Sequence, residues 1–231
     1  MVPKGQGKGT RSYGRGKHVR VKTARGRKTS STRWLQRQLN DPFVREAQRL
    51  GYRSRAAFKL LELDDRFGFL KKGARVVDLG AAPGGWSQVA KDRVGKSGLV
   101  VALDLASIEP LVGVNIVEAD FFSEQSESLL ESKIGTQVDV VLSDMAAPST
   151  GHAATDHLRI MSLAEAAYDF ARPRLVKGGT FVTKVFQGGA DRDLLKMLKR
   201  DFAKVRHAKP KSSRARSAEM YMVAMGSHIK E

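Results

Sequence analysis

The chain has 231 residues, enough for one domain with a buried core plus an appendage, and carries a formal charge of +17 from 41 Lys and Arg against 24 Asp and Glu. It contains no cysteine, so it can hold neither disulfides nor thiolate metal sites. No secretory leader and no apolar run of about 18 residues is visible, which predicts a soluble cytoplasmic protein, and the cationic surplus favours a polyanionic partner through counterion release.

Residues 1–33 hold eleven Lys and Arg, six Gly and no Asp or Glu, with almost no large apolar side chains. Such a segment cannot offset its ordering entropy, so it reads as a disordered basic tail that binds RNA on contact, followed by a folded domain over 34–231. Asp41-Pro42 is a helix start, with Asp as N-cap and Pro at the first helical position, and Gly51 ends that helix. A second helix starts at Ser54 and runs to Phe67, with Ala56, Leu60, Leu63 and Phe67 as its apolar stripe. Lys59 lies at the edge of that stripe and should point along the protein body.

From Lys71 onward strands and helices alternate, as a doubly wound parallel sheet requires. Strands are predicted at 75–79, 99–105, 114–119, 138–143, 180–186, 204–208 and 220–225, and helices at 86–94, 126–134, 156–175 and 191–202. Lys177-Gly178-Gly179 reads as the end of the longest helix. No helix separates the last two strands, so they should form an antiparallel pair at one sheet edge. The predicted fold is α/β, a Rossmann-like seven-stranded, mostly parallel sheet with helices on both faces.

The run Arg75-Val-Val-Asp-Leu-Gly-Ala-Ala-Pro-Gly-Gly-Trp86 is an apolar strand that breaks into a glycine turn and opens a helix. It lacks the Lys-Ser/Thr pair of a phosphate loop and the G-x-G-x-x-G of a dinucleotide site. Its D-x-G-x-x-x-G-G spacing is similar to the first motif of S-adenosylmethionine-dependent methyltransferases. Asp104 closes the second strand, twenty residues after Gly84, where an acid would accept from ribose hydroxyls. Asp120 closes the third strand and would accept from the adenine amine, with Phe121 beside it to cover the ring. Trp86, at the helix start, either packs on the ligand or anchors the helix to the sheet.

Lys184 is anomalous, an amine in the apolar strand Thr-Phe-Val-Thr-Lys-Val-Phe. Burial disfavours a charged amine and a nearby carboxylate favours it, so such a lysine can be tuned to accept a proton or hold an alkoxide. Asp144 ends another apolar strand at the same sheet edge and is the natural partner for Lys184.

These residues together resemble the FtsJ family of RNA ribose 2'-O-methyltransferases. The resemblance runs from about Arg33 to Ala224 and rests on Gly-Tyr-Arg-Ser-Arg-Ala-Ala-Phe-Lys59-Leu, Val-Asp-Leu-Gly-Ala-Ala-Pro-Gly-Gly-Trp86-Ser-Gln, Leu-Ser-Asp144-Met-Ala, Val-Thr-Lys184-Val-Phe and Ser-Ala-Glu219-Met-Tyr. It implies a catalytic set of Lys59, Asp144, Lys184 and Glu219. It also implies S-adenosylmethionine as cofactor, held by Gly84, Trp86, Asp104, Asp120 and Asp144, and no metal. In this reading Lys184 removes or stabilises the hydroxyl proton, Asp144 orients Lys184, and Lys59 and Glu219 position the ribose. The family commonly reads Met-Ala-Pro-Asn after the aspartate, whereas Met145-Ala-Ala-Pro148-Ser-Thr-Gly151 stands here, so the substrate-side loop departs from the pattern. His152 and His157 nearby read as loop and helix-cap residues.

The bacterial members imply a uridine of large-subunit ribosomal RNA as substrate, the large ribosomal subunit as partner, no membrane, and a monomer. Relatives of similar core that act on tRNA form an alternative. The stretch Lys209-Pro-Lys-Ser-Ser-Arg-Ala-Arg216 would line the cleft with phosphate contacts. A non-catalytic ribosome-assembly factor would predict a damaged reactive set, and all four residues are in place.

Overall fold

In a computed structural model, which describes residues 19–21, 26, 28–188 and 192–228, the alternating apolar segments close into one sheet. Three helices come first: α1 (Thr29–Leu39), α2 (Pro42–Leu50) and α3 (Ala56–Phe67). The alternating part follows as β1 (Arg75–Leu79), α4 (Gly85–Val94), β2 (Leu99–Asp104), β3 (Val114–Glu118), α5 (Glu124–Ile134), β4 (Val138–Ser143), α6 (Ala153–Ala171), β5 (Leu175–Phe186), α7 (Arg192–Asp201), β6 (Phe202–Ala208) and β7 (Glu219–Ser227). The strand order is β3-β2-β1-β4-β5-β7-β6. The first five strands are parallel, and β7 inserts between β5 and β6, antiparallel to both.

Alternation along the strands divides the core between the two faces of the sheet. Val77, Leu79, Val101, Leu103, Val141 and Phe181 pack with α5, α6 and α7 on one face. Val76, Val100, Val140, Leu142, Val182 and Val223 pack with α3 and α4 on the other. β1, β2 and β4 carry apolar residues on both faces because helices cover both, which is what a parallel sheet requires; the buried exception in β1 is Asp78.

Several boundaries differ from the sequence expectation. α1 begins inside the segment assigned to the tail; residues 1–18 lie outside the described residues, and Val19 and Val21 are pinned along α1 by the side chains of Asn40 and Gln36. Lys177-Gly178-Gly179 does not end the long helix. α6 stops at Ala171, β5 starts at Leu175, and the two glycines sit where the β4–β5 register shifts. The Ser54 hydroxyl caps nothing, is buried without a partner among the described residues, and fills the space a side chain on Gly85 would need. On α3 the fully buried positions are Ala57, Phe58, Leu60, Leu63 and Asp64, so the stripe is shifted from Ala56 and Phe67, which are half-buried.

α2 forms as its sequence predicts: Asp41 Oδ1 accepts from Phe43 N at 3.0 Å, and Gly51 closes the helix in the left-handed region at φ 76°. The other carboxylate oxygen of Asp41 pairs with Arg55 and, at 3.5 Å, with Arg214. Asp41→Ala therefore loses a cap and two ion pairs, whereas Asp41→Asn keeps the capping oxygen. Urea denaturation should place Asp41→Ala below Asp41→Asn by about 1 kcal/mol, the typical worth of an N-cap; equal stabilities would remove the cap from the account.

Candidate active site

The site lies at the carboxyl ends of the parallel strands, where open α/β sheets bind ligands. β1 leaves the sheet at Gly80, whose φ of 73° and lack of Cβ are both needed, since a Cβ there would stand 2.7 Å from the Met145 Cα. Gly84 follows at φ 106° as N-cap of α4, with its N–H turned back to Ala81 O. The first intrahelical bond of α4 runs from Gln88 N to Gly84 O, and the Ser87 backbone N–H, one residue earlier, serves the Asp78 carboxylate inside the fold.

A cleft of ≈ 340 Å³ opens beside this turn, lined among others by Asp104, Asp120, Phe121, Phe122, Asp144 and Met145. Asp104 is held from both sides: Oδ2 accepts from Ala82 N and Oδ1 from Ala106 N, each at 2.8 Å. Each oxygen keeps a lone pair directed elsewhere, so an oriented acceptor remains for a vicinal diol. Asp120 is exposed, and its Oδ1 accepts from Phe122 N at 3.0 Å. Phe121 packs edge-on against Phe170 and against Phe122, whose ring is 65% exposed at the cleft mouth. An aromatic wall, oriented carboxylates and a glycine turn that lets the backbone come close suit a nucleoside.

Trp86 does not line this cleft. Its ring is buried 5.5 Å from that of Tyr221, and its Nε1 donates to Ala56 O at 2.8 Å, which makes its side chain an anchor between α4, α3 and β7.

On the far side of Asp144 the four reactive candidates converge. Lys184 on β5 shares its sheet face with Val182, and its Nζ donates to Asp144 O at 2.6 Å and to Oδ1 at 3.2 Å. Lys59 reaches in from α3, with Nζ 2.8 Å from Glu219 Oε2 and 3.9 Å from Asp144 Oδ2. Tyr221, absent from the sequence reading, ties the set together. Its hydroxyl donates to Asp144 Oδ1 at 2.8 Å and accepts from Lys59 Nζ at 3.2 Å. Period-2 alternation from Glu219 would have placed Tyr221 on the same face, and the register sets it directly opposite Lys184. Ser213, also unforeseen, donates to Glu219 Oε1 at 2.8 Å.

Burial pushes the Asp144 carboxyl up, but the ammonium groups of Lys184 and Lys59 and the Tyr221 hydroxyl outweigh it, so its pKa lies below the ordinary value. Tyr221 goes the other way, far above an ordinary phenol, because burial and then the charges of Asp144 and Glu219 all oppose its ionisation. It remains a proton donor at any working pH.

A second cleft of ≈ 220 Å³, lined by Gln38, Arg55, Lys59, Arg214, Ser217 and Glu219, opens on the other side of the cluster. Arg214 thus comes from the basic stretch 209–216, as anticipated. The rest of that stretch is bolted down by Glu62, whose carboxylate accepts from the backbone N–H groups of Lys211 and Ser212. His152 is the N-cap residue of α6 and His157 lies edge-on to Phe186.

The chain has matches among known proteins. A profile of FtsJ-like methyltransferases covers residues 52–227. The chain belongs to the FtsJ-like methyltransferase family. It is 56% identical to the ribosomal RNA large subunit methyltransferase E of Parvibaculum lavamentivorans over 95% of this chain and 91% of that one. Identity to the protein of the same name from Acidiphilium cryptum is 59%, over 90% and 92%. A crystal structure of a putative ribosomal RNA methyltransferase from Plasmodium falciparum superimposes with a TM-score of 0.69 at 30% identity, over 78% of this chain and 100% of that chain. FtsJ-like methyltransferases take their methyl group from S-adenosylmethionine, and the cleft beside Gly80, which Gly84 does not line, has the acceptors and aromatic wall for it.

One further residue of this methyltransferase escaped the sequence reading. Asp78, in the middle of β1, is fully buried; its Oδ2 accepts from Ser87 Oγ at 2.6 Å, and the Ser87 backbone N–H also serves the carboxylate. Burial is the main cause, with Asp144 and Asp104 adding to it against the Ser87 hydrogen bond, of a pKa raised from 3.8 to about 7. Below pH about 4 the carboxyl is protonated in both folded and unfolded chains. Between about 4 and about 7 the unfolded chain releases the proton and the folded chain retains it, so stability falls as pH rises, by roughly 1.4 kcal/mol per unit. Asp78→Asn removes this titration. Urea denaturation from pH 4 to 8 should show the variant gaining on the wild type with rising pH, by up to about 4 kcal/mol; a constant difference would show that Asp78 does not carry the effect.

Proposed function

We propose that this chain methylates a ribose 2'-hydroxyl of ribosomal RNA, a uridine of 23S RNA in the large subunit, using S-adenosylmethionine in the bacterial cytoplasm. The observation that carries the proposal is the position of the Lys59, Asp144, Lys184 and Glu219 cluster between two clefts, one suited to the methyl donor and one cationic. The names of the bacterial relatives support the choice of RNA.

Bound in its cleft, S-adenosylmethionine supplies a methyl group already activated by sulfonium charge. The ribose hydroxyl, in contrast, is a weak acid and a poor nucleophile, and activating it is the work of the protein. A neutral lysine amine has two N–H groups and one lone pair. To act as a base Lys184 first gives up one proton to solvent; the two N–H groups it keeps stay on Asp144 O and Oδ1, and the lone pair so freed takes the hydroxyl proton during attack. The new C–O bond forms as the C–S bond breaks, and the proton passes from Lys184 to solvent. Lys59 and Glu219 fix the ribose, while Tyr221 holds Asp144 without ever competing for the proton. Arg55 and Arg214 would take the flanking phosphates, and the basic segment 1–33 would extend the grip along the RNA.

Substituting Lys184 by Ala should lower the rate at saturating donor by at least about 10²-fold, the range expected of a lost general base, while S-adenosylmethionine binding by calorimetry stays near that of the wild type. Methylation at the wild-type rate would overturn the assignment. Incubation with labelled donor and isolated large ribosomal subunits, followed by mapping of 2'-O-methyl positions, should find one modified uridine in 23S RNA; label confined to transfer RNA would replace the substrate but keep the chemistry.

A further inference from the structure

The loop between β2 and β3, residues 105–113, begins at the cofactor cleft, which Leu105 lines, and runs back along the glycine turn. Ile108 is its apolar anchor, buried against Ala81 and Ala102. Beyond Ile108 the loop holds itself poorly. Pro110 has no N–H, and Val112 is 99% exposed.

Arg53, in the short link between α2 and α3, supplies what the loop lacks. Its Nη1 donates to Glu109 O at 2.5 Å and to Pro83 O at 3.1 Å, and its Nη2 donates to Pro110 O at 2.8 Å. Among the described residues neither Glu109 O nor Pro110 O has another donor. One planar fork thus joins two consecutive loop carbonyls to the turn that precedes Gly84. The contact is close as well as polar: a Cβ on Gly84 would stand 2.8 Å from Leu111 Cδ1 and 3.3 Å from both Arg53 Cδ and Nη1.

The arginine is itself anchored. Arg53 N donates to Gln88 Oε1 at 2.8 Å, and Gln88 Nε2 donates to Gly51 O at 3.0 Å, so the link is fastened to the first turn of α4. We propose that Arg53 is a positioning residue for the methyl donor, tying the loop after β2 to the glycine turn after β1 and thereby setting the affinity for S-adenosylmethionine.

A lysine at this position keeps the charge but lacks the fork, since one ammonium on a flexible stem cannot hold three carbonyls in a fixed plane. Arg53→Lys therefore separates positioning from simple phosphate attraction. In the protein without cofactor, amide hydrogen exchange over residues 106–113 should accelerate about tenfold in Arg53→Lys and in Arg53→Ala, with the central strands unchanged. The dissociation constant for S-adenosylmethionine, by calorimetry, should rise about tenfold in both variants, the equivalent of one lost charge-assisted hydrogen bond. In Arg53→Lys, kcat at saturating donor and KM for RNA should stay within about threefold of the wild type. Unchanged exchange and donor affinity in Arg53→Lys would overturn the proposal. So would a rise in KM for RNA with donor affinity intact, which would make Arg53 a phosphate contact instead.

Discussion

The structure depends on keeping the Asp144 carboxylate ionised in a largely buried place. Taking a carboxylate out of water costs several kcal/mol, and mutual attraction repays this only when geometry and hydrogen bonding are good. Asp144 meets that condition with two ammonium groups and a phenol, while Glu219 balances the second ammonium. The cluster is formally neutral, two cations against two anions. Its members come from α3, the end of β4, β5 and β7, so the charge balance exists only when these four elements are assembled.

That requirement gives a physical role to the unusual end of the sheet. If β6 and β7 simply continued the parallel order, the Glu219 end of β7 would lie at the opposite edge. Inserted antiparallel between β5 and β6, β7 places Tyr221 opposite Lys184 and Glu219 opposite Phe186. The start of β7 thereby meets the ends of the parallel strands. Arg55 and Arg214 are pre-set by the same logic, because both converge on Asp41, which also caps α2. Two cations lining the second cleft are thus oriented by the fold itself.

The features legible in the sequence were those with a local cause. The apolar, β-branched runs at 75–79 and 138–143 are observed strands to the residue, and Asp41-Pro42 with Gly51 brackets α2 as capping chemistry demands. Lys184 stood out because an amine in an apolar strand needs a partner, and Asp144 is there. What could not be read locally was decided by tertiary contact. The Gly178-Gly179 pair looks like a helix stop, yet it lies in a strand because Gly179 packs against backbone carbonyls of Val176 and Asp139 with no room for a side chain. Tyr221 reads as an ordinary β-sheet aromatic until the register sets it against Asp144. Asp78 reads as motif spacing, and only its complete burial reveals the perturbed carboxyl. Lys59 on its helix is indistinguishable from a surface lysine until β7 brings Glu219 to it.

Trp86 shows why donor site and reacting cluster should respond as one unit. The residue opens the helix that follows the glycine turn, so its backbone belongs to the cofactor side. Its ring rests on Tyr221 and its N–H is committed to the carbonyl of Ala56, one helical turn before Lys59. A shift of α4 is therefore felt at Tyr221 directly and at Lys59 through α3, two members of the hydrogen-bonded line that ends at Asp144. Close-packed interiors transmit such shifts because they have no slack to absorb them. The sequence offered two roles for this tryptophan, ligand contact or anchor; its side chain takes the second, and through it the helix after the glycine turn and the Lys59, Tyr221 and Asp144 line share one packed contact.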